Sequence, residues 1–410
     1  MTRLDTFLRD NGFVADAKFR QEVTAAYEAE IAAKLAGGAS SLYMLDSYIP
    51  GEVEPNRQAP VAVIDAGGTN LRVAAVDFTD EGVEFRDVRK TFMPGSRGPL
   101  SADAFHRAIA AEVDTVFAGD PRIERLGYCF SYGCQSSPDR DAELIAWSKQ
   151  IDAPDVIGQR VGAELARRMA RRPAAVTVLN DTVATLLAGR AVAGSRRFSG
   201  YLGFILGTGT NVACVADGTI RNAESGEFDK LPQSAFDQAF DAGLPDCGMA
   251  RFEKMVAGGY LGGVGLQMLK AAGEAGLFAG DAGRLNELQS LETKDLDEFA
   301  VGRGGPANPL APLFSGADVE VARALAMCVF KRAAILTAAH LAAFLKRAAS
   351  ASGKDPVCIT VDGSTFWKTE AVDFNAEVTA ELSRIPEVPT FEIVRVEDAP
   401  MLGAAVAATL

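Results

Sequence analysis

Histidine is nearly absent from this chain of 410 residues, in which only His106 and His340 occur. Two histidines argue against a Ser-His-Asp triad and against a metal centre built from several histidines. If the protein is an enzyme that needs a general base at neutral pH, we expect a carboxylate in that role.

Paired cysteines are missing as well. The sequence has neither a Cys-x-x-Cys pair nor a histidine beside a cysteine, which argues against a zinc site and against a disulfide framework. The six cysteines are scattered over the chain, at Cys129, Cys134, Cys214, Cys247, Cys328 and Cys358. Such a distribution fits a reducing compartment, and we expect a cytoplasmic protein.

Long apolar runs are also lacking. The longest nearly apolar stretch, residues 333–345, is interrupted by His340 and is shorter than the roughly 20 residues that span a bilayer. The first ten residues carry charges throughout and lack the apolar core of a secretory signal. The sequence therefore predicts neither a membrane span nor export.

Positive charge is in deficit, with 41 Lys and Arg against 54 Asp and Glu and a net charge of −13. This balance argues against a surface for nucleic acid or anionic membrane. A hydrophobic content of 48% is typical of a globular protein, and 410 residues leave room for two domains. Small molecules are therefore the expected partners, and the sequence leaves a homodimer open.

One short pattern occurs twice. Residues 61–70 read Val-Ala-Val-Ile-Asp-Ala-Gly-Gly-Thr-Asn, and residues 203–211 read Gly-Phe-Ile-Leu-Gly-Thr-Gly-Thr-Asn. Each copy passes through a Gly/Thr turn into a second apolar run, so each predicts a β-hairpin with glycine at its tip. Glycine lets the backbone approach a phosphate closely, and the threonines and free N–H groups supply donors. Two such hairpins across a cleft predict a protein that binds ATP.

The rest of the chain alternates between strand and helix patterns, which indicates an α/β layer architecture. The patterns predict, in chain order, helices over residues 1–37, a loop over 47–60, a strand over 83–90, a helix capped by Ser101, strands over 125–131 and 175–179, a helix from Thr182, a long helix over 318–348 that could be core or interface, a last strand over 356–361 and a small-residue helix from Met401.

Two aspartates stand where strands end. Asp65 immediately precedes the first glycine turn, where a carboxylate could hold Mg²⁺ through water, although an isolated aspartate there could simply cap the turn. Asp181 follows a buried strand and begins a helix, so it could be an N-cap. If the site transfers phosphate to an alcohol, Asp181 is the residue placed to accept the hydroxyl proton.

A group of hydrogen-bonding residues suggests a pocket for a polyol, because every sugar hydroxyl both donates and accepts. From composition alone, each of them could equally be a solvated surface residue. The group comprises Ser131, Ser148, Lys149, Asn180, Asn211, Glu224 and Glu253.

The order of these motifs resembles the hexokinase family of the actin, sugar kinase and Hsp70 ATPase superfamily. The similar segments are residues 65–72 (first phosphate motif), 130–149 (sugar-binding stretch), 179–185 (catalytic aspartate), 206–211 (second phosphate motif), 252–262 (a further sugar-contacting stretch) and 361–365 (adenosine motif). They cover most of the chain in family order.

The resemblance implies transfer of the γ-phosphate of ATP to the 6-hydroxyl of a hexose, the first step of glycolysis. Asp181 and Lys149 would be the catalytic residues. The hydrogen-bonding residues of the proposed polyol pocket, together with Asp181, would hold the sugar. The nucleotide would be held by Gly67, Gly68, Thr69, Asn70, Arg72, Gly207, Thr208, Gly209, Thr210, Gly363 and Ser364. Asp65 would anchor Mg²⁺ through water.

The implied fold is α/β, with two RNase H-like domains that each repeat a βββαβαβα core and flank the nucleotide and sugar cleft. Residues 1–58 would be N-terminal helices of the large domain, and residues 59–179 the small domain. The helix over 400–410 would complete the small domain, and residues 180–399 would form the large one.

The sequence departs from the family pattern on the sugar side. Ser-Phe-Pro reads Ser131-Tyr132-Gly133 here, Gly263 replaces an acidic residue, and Ser225 and Glu227 replace an aromatic and a small residue. The preferred hexose is thus open among D-glucose, mannose, fructose and glucosamine. Two other readings stay open: a sugar sensor without turnover, and an actin- or Hsp70-type ATPase switch.

Overall fold

The structure is a computed structural model that describes residues 2–53, 56, 58–79, 82–147, 150–193, 196–280, 283–348 and 355–410. Two predicted site residues, Ser148 and Lys149, lie outside the described residues.

The described residues alternate between strands and helices, as the sequence predicts. The strands are β1 (Leu45–Pro50), β2 (Val61–Ala66), β3 (Asn70–Thr79), β4 (Gly82–Phe92), β5 (Arg125–Phe130), β6 (Gly133–Ser136), β7 (Ala142–Ala146), β8 (Ala175–Leu179), β9 (Gly200–Leu206), β10 (Thr210–Ala216), β11 (Thr219–Asn222), β12 (Val357–Asp362) and β13 (Phe391–Arg395). The α-helices are α1 (Arg3–Asp10), α2 (Ala17–Leu35), α3 (Ala102–Gly119), α4 (Val161–Arg168), α5 (Asp181–Val192), α6 (Ala235–Ala242), α7 (Arg251–Val256), α8 (Leu261–Glu274), α9 (Thr293–Ala300), α10 (Ala317–Ala348), α11 (Ser364–Lys368), α12 (Phe374–Leu382) and α13 (Ala399–Ala408).

Two sheets repeat one plan. In the first, with order β4-β3-β2-β5-β8, three antiparallel strands are followed by two parallel ones. In the second, β11-β10-β9 are antiparallel, β12 and β13 continue in parallel, and β1 is added at the edge. The predicted hairpins are β2-β3 and β9-β10, so the same turn occupies the same place in each sheet. This duplication confirms the predicted α/β fold.

The predicted loop over residues 47–60 is wrong at its start, because Ser47 to Pro50 belong to β1. Among the described residues this strand pairs with β11 alone, at the edge of its sheet, and the Ser47 hydroxyl donates to the Ile220 carbonyl at 2.6 Å. An edge strand tolerates proline, which has no N–H to donate, so Pro50 did not signal a loop here.

Two other expectations need refinement, and a third is confirmed. The helical run over residues 1–37 is divided into α1 and α2, because the Asp16 side chain accepts a hydrogen bond from the Phe19 N–H and begins a new helix. The strand β12 is not the last, since β13 follows it in parallel. The Ser101 cap is confirmed by its hydrogen bond from the Ala104 N–H at 3.3 Å.

The C-terminal helix α13 packs against β2, β5 and β8 of the first sheet and against α5, which begins at Asp181. Small residues permit this close approach. A Cβ atom on Gly403 would lie 1.9 Å from the carbonyl oxygen of Ala184, so only glycine fits where the two helices cross. The helices that begin at Asp181 and beside Asp398 are thereby fixed to each other.

The long helix α10 is a core helix rather than an exposed interface. By length and composition it could cross a membrane, yet 83% of its most apolar window is buried inside the protein. It also carries Arg332, whose guanidinium forms a buried ion pair with Asp237 at 2.5 Å. Burial of this kind is typical of a helix at the centre of an α/β domain.

His340 on α10 is fully buried in an aromatic cluster. Its ring lies 4.8 Å from the rings of Tyr27 and Phe252 and 5.3 Å from that of Phe344. Within the described part of the chain, neither ring nitrogen has a hydrogen-bond partner. Burial therefore lowers the pKa of His340 from 6.5 to about 3, and the residue is neutral in the folded protein.

We predict that His340 makes folding sensitive to acid. Because its folded pKa lies below its unfolded value, its stabilising contribution is complete above pH 6.5 and decreases as the pH falls toward 3. At pH 5 this loss amounts to about 2 kcal/mol. Denaturant unfolding at pH 7.5 and pH 5 should show a smaller loss in His340→Phe than in the wild type by this amount. Parallel pH dependence in the two proteins would contradict the prediction.

Candidate active site

The two glycine turns and Asp181 each follow the carboxyl end of a strand, namely β2, β9 and β8, which is the end at which α/β sheets carry ligands. Turn 1 (residues 67–70) joins β2 to β3, and turn 2 (residues 207–210) joins β9 to β10. Asp181 lies near enough to Glu224 and Asp362 for its charge to raise the pKa of both. One site thus combines groups from both sheets.

Turn 1 is a compact loop closed by its own backbone. The Gly67 N–H donates to the Asn70 carbonyl at 3.0 Å, and the Asn70 amide donates to the Thr69 hydroxyl at 3.1 Å. Thr69 is exposed, whereas Gly67, Gly68 and Asn70 are half-buried. The turn therefore presents backbone and hydroxyl donors at an accessible surface.

Asp65 and Arg72 flank turn 1 as a register pair of β2 and β3. The Asp65 Oδ2 atom accepts hydrogen bonds from Arg72 Nε at 2.9 Å and Nη2 at 2.7 Å. The Arg72 Nη1 atom also donates to Asp398, at the start of α13. Burial alone would lower the pKa of Arg72, but the two carboxylates hold it above its usual value. A fixed cation thus lies beside the turn.

Turn 2 is supported from outside by other elements. The Gly207 carbonyl accepts hydrogen bonds from the Thr365 hydroxyl and the Gly258 N–H, both at 2.8 Å. The Thr208 carbonyl accepts from the Gly259 N–H at 2.9 Å, and the Thr208 residue itself is exposed. The segment between α7 and α8 and the segment after β12 therefore hold this turn in place.

Glu253 joins turn 2 to Tyr260, the residue before α8. Its Oε2 atom accepts from the Thr210 N–H at 2.9 Å, and its Oε1 atom accepts from the Tyr260 hydroxyl at 3.1 Å. Burial raises the pKa of Glu253, and these hydrogen bonds only partly oppose that shift. Glu253 is thus one of the carboxylates gathered at the site, not an ordinary surface charge of a helix.

Asp181 is the first residue of α5 and not its cap. The Asn180 side chain performs the capping role by accepting from the Thr182 N–H at 2.8 Å. The interpretation of Asp181 as an N-cap is therefore wrong. The Asp181 carboxylate is half-buried and accepts a long hydrogen bond of 3.4 Å from the Thr182 hydroxyl. The Asp181 carboxylate is therefore not used to cap the helix.

A relay of side chains leads from Asn211 to Glu224. The Asn211 amide donates to Asn222 Oδ1, and the Asn222 amide donates to Glu224 Oε1, both at 2.7 Å. Burial raises the pKa of Glu224 to about 7, with the charges of Asp181 and Glu253 adding to the shift and Asn222 opposing it. Glu224 therefore changes its charge near neutral pH.

The remaining predicted residues lie at the edges of the site. Ser131 is buried directly after β5, and its N–H donates to the Ala66 carbonyl at 3.2 Å. Gly363 and Ser364 join β12 to α11 close to turn 2, and Ser364 is exposed. At Gly263 a Cβ atom would lie 2.1 Å from the Phe240 ring, so an acidic side chain does not fit there.

Two residues of the site were missed in the sequence. Asp362 ends β12; burial raises its pKa, its Oδ1 accepts from the Gly363 N–H at 2.8 Å, and Arg72 lies near enough to oppose the shift. Asp362 lies within the predicted adenosine motif at residues 361–365, but no role was predicted for its side chain, although its place at a strand end before a glycine turn resembles that of Asp65. Asp398 joins the site only through folding of the distant C-terminus, and no local pattern marks it.

Comparison with known proteins shows the family of the chain. Two family models, both described as hexokinase, match residues 9–191 and 201–410. Hexokinase-1 of Oryza sativa subsp. japonica is 31% identical over 67% of this chain and 61% of its own length. The chain thus spans about three-fifths of that curated relative.

Solved structures share the fold. A hexokinase from Schistosoma mansoni complexed with glucose has a TM-score of 0.79 at 24% identity, covering 99% of this chain and 98% of that one. A ROK family glucokinase from Streptomyces griseus, in complex with glucose and AMPPNP, has a TM-score of 0.53 at 20% identity over 85% of this chain and 99% of that one. Together the two family matches extend over nearly the entire sequence. The chain belongs to the hexokinase family.

Proposed function

We propose that this protein transfers the γ-phosphate of ATP to the 6-hydroxyl of a hexose. The observation that carries the proposal is that Arg72 and Asp181, from the first sheet and the helix after it, lie near enough to Asp362 of the second sheet for their charges to act on it. Each of the two glycine turns lies beside one of these groups. Membership of the hexokinase family supports it, as do the glucose and AMPPNP named for two structures of the same fold. D-glucose is the first candidate substrate, followed by mannose, fructose and glucosamine, and the reaction would open glycolysis.

The nucleotide phosphates would lie between turn 1 and turn 2. Both turns offer backbone N–H groups and hydroxyls, and Arg72 adds a positive charge for the phosphate oxygens. Asp65 would hold Mg²⁺ through water, because this ion keeps much of its hydration shell and binds through few carboxylates together with substrate phosphates. No cluster of three or more metal-binding side chains occurs among the described residues, which agrees with such an ion.

Asp181 would act as the general base. Its carboxylate takes the proton of the 6-hydroxyl while the hydroxyl oxygen attacks the γ-phosphorus, and the bond from that phosphorus to the bridging oxygen breaks to release ADP. The relay through Asn211, Asn222 and Glu224 would orient the hexose by accepting from its hydroxyls. The two turns would position the nucleotide phosphates and provide a positive electrostatic potential around them.

The proposal also concerns partners and location. A hexose and ATP are the partners, and the protein would work in the cytoplasm, where thiols stay reduced. All six cysteines are free in the structure, which supports this location.

ADP release by the purified protein with Mg-ATP, measured with and without each of the four hexoses, tests the function. Strong stimulation by one of them would support the proposal and name the substrate. ADP release that is equal with and without sugar would instead favour an ATPase switch. Sugar binding without any ADP release would favour a sensor.

Hexose affinity should increase with pH because of Glu224. With a pKa of about 7, this carboxyl is mainly protonated at pH 6 and mainly ionised at pH 8. The ionised form accepts stronger hydrogen bonds from hydroxyls, so the hexose dissociation constant should decrease by up to about tenfold over this range. Titration calorimetry should show that Glu224→Gln removes the dependence, whereas the neighbouring Glu227→Gln retains it. A flat wild-type profile would exclude this role.

A further inference from the structure

Tyr132 joins the loop after β5 to turn 1. Its ring is buried, with 4% of its surface exposed, and packs 4.7 Å from the Phe130 ring and 4.8 Å from the Trp147 ring. Its hydroxyl donates to the Gly67 carbonyl at 2.5 Å. The preceding residue, Ser131, donates from its N–H to the Ala66 carbonyl. Two consecutive carbonyls at the start of the turn are thus held by two consecutive residues of one loop.

The Gly67 carbonyl is a sensitive position because of the geometry of the peptide unit. In a planar trans peptide the carbonyl of one residue and the N–H of the next point in opposite directions. A donor that holds the Gly67 carbonyl therefore also fixes the Gly68 N–H, which points away from that donor. Glycine resists such reorientation least of all residues, so turn 1 needs an external constraint.

The rigidity of the Tyr132 ring makes it an effective constraint. The aromatic neighbours fix the ring, and the ring fixes the hydroxyl. Burial raises the pKa of Tyr132, with the charge of Asp65 adding to the shift, so the hydroxyl keeps its proton and remains a donor. The phenol therefore serves as a permanent donor beside the turn.

We propose that Tyr132 is a positioning residue for the nucleotide, which orients the Gly68 N–H of turn 1 toward the phosphates and ties that turn to the loop that carries Ser131. This proposal rests on the proposed function, since it assigns turn 1 to the nucleotide. It extends that function by naming a residue on the sugar side that controls affinity on the phosphate side.

Tyr128 provides a matched control in the same layer. Its ring is also fully buried and lies 5.2 Å from the Phe130 ring, but its hydroxyl has no hydrogen-bond partner among the described residues. Tyr132→Phe and Tyr128→Phe thus remove the same atom from similar surroundings. They differ in whether that atom holds turn 1.

The test is direct binding of Mg-ADP and of glucose to the wild type and both variants, by calorimetry, together with steady-state kinetics. One hydrogen bond of this kind should change the Mg-ADP dissociation constant by about three- to tenfold. We expect that increase in Tyr132→Phe, a matching increase in the KM for Mg-ATP, and glucose affinity within about twofold of the wild type. Tyr128→Phe should retain wild-type values.

A separate readout concerns the turn itself. Hydrogen exchange of the Gly68 amide should be faster in Tyr132→Phe than in Tyr128→Phe at equal melting temperature. Unchanged Mg-ADP affinity in a folded Tyr132→Phe would overturn the proposal, and so would an equal loss of nucleotide and glucose affinity with a lower melting temperature, which indicates a purely structural role. Failure of the wild type to bind Mg-ADP would instead refute the proposed function.

Discussion

Replacement of Asp181 by asparagine should lower kcat by about 10²- to 10⁴-fold while hexose binding persists, because the amide retains the shape of the carboxylate but accepts no proton. The prediction depends on Asp181 being available for this role. The Asn180 side chain already caps α5, and the Asp181 carboxylate accepts a long hydrogen bond of 3.4 Å from the Thr182 hydroxyl.

The measurement is the kcat for formation of the phosphorylated hexose, together with the hexose dissociation constant from calorimetry. Asp295→Asn is a suitable control, because Asp295 also lies in the first turn of a helix, α9, but distant in sequence from both turns. The control reports any effect of losing a first-turn carboxylate. A kcat for Asp181→Asn within about tenfold of the wild type would remove Asp181 from the role of base.

Replacement of Asp65 by asparagine should reduce kcat/KM for Mg-ATP by about 10²-fold, the effect typical of losing one preorganised electrostatic group. Two contributions are lost together. The amide no longer provides the negative charge for a hydrated Mg²⁺, and Arg72 keeps only the carboxylate of Asp398. The Mg²⁺ concentration for half-maximal activity should increase, and hexose affinity should stay within about twofold.

Asp77→Asn is the control for this experiment. Asp77 also forms an ion pair with an arginine of the adjoining strand, Arg86, in the same sheet but away from turn 1. Its loss should change stability slightly and leave the magnesium dependence alone. If Asp65→Asn and Asp77→Asn showed the same magnesium dependence as the wild type, Asp65 would have no part in holding the ion.

The repeated fold could be predicted because its signals are local. The hairpins around turn 1 and turn 2 carry β-branched runs that break at glycine, and β8 ends at a polar triplet that begins α5. Such patterns depend on neighbours in sequence, so a single chain displays them. The strand β1 was missed since its pairing with β11 overrides the turn signals of its proline.

The hydrogen bonds and ion pairs that join the residues of the site could not be predicted. The bond from Tyr132 to Gly67 joins residues on different elements, and so does the bond from Thr210 to Glu253. The contact of Arg72 with Asp398 spans most of the chain. A sequence pattern shows which residues could carry chemistry, but the partner of each one is decided by how the two sheets and α13 pack.

The most direct test of the account is the fate of the transferred phosphate, followed by phosphorus NMR with Mg-ATP and the best hexose. We predict that hexose 6-phosphate appears in equal amount to ADP while orthophosphate stays at background, and that Asp181→Asn forms both products at least about 10²-fold more slowly. Orthophosphate formed in equal amount to ADP, whether or not a hexose is present, would contradict the account.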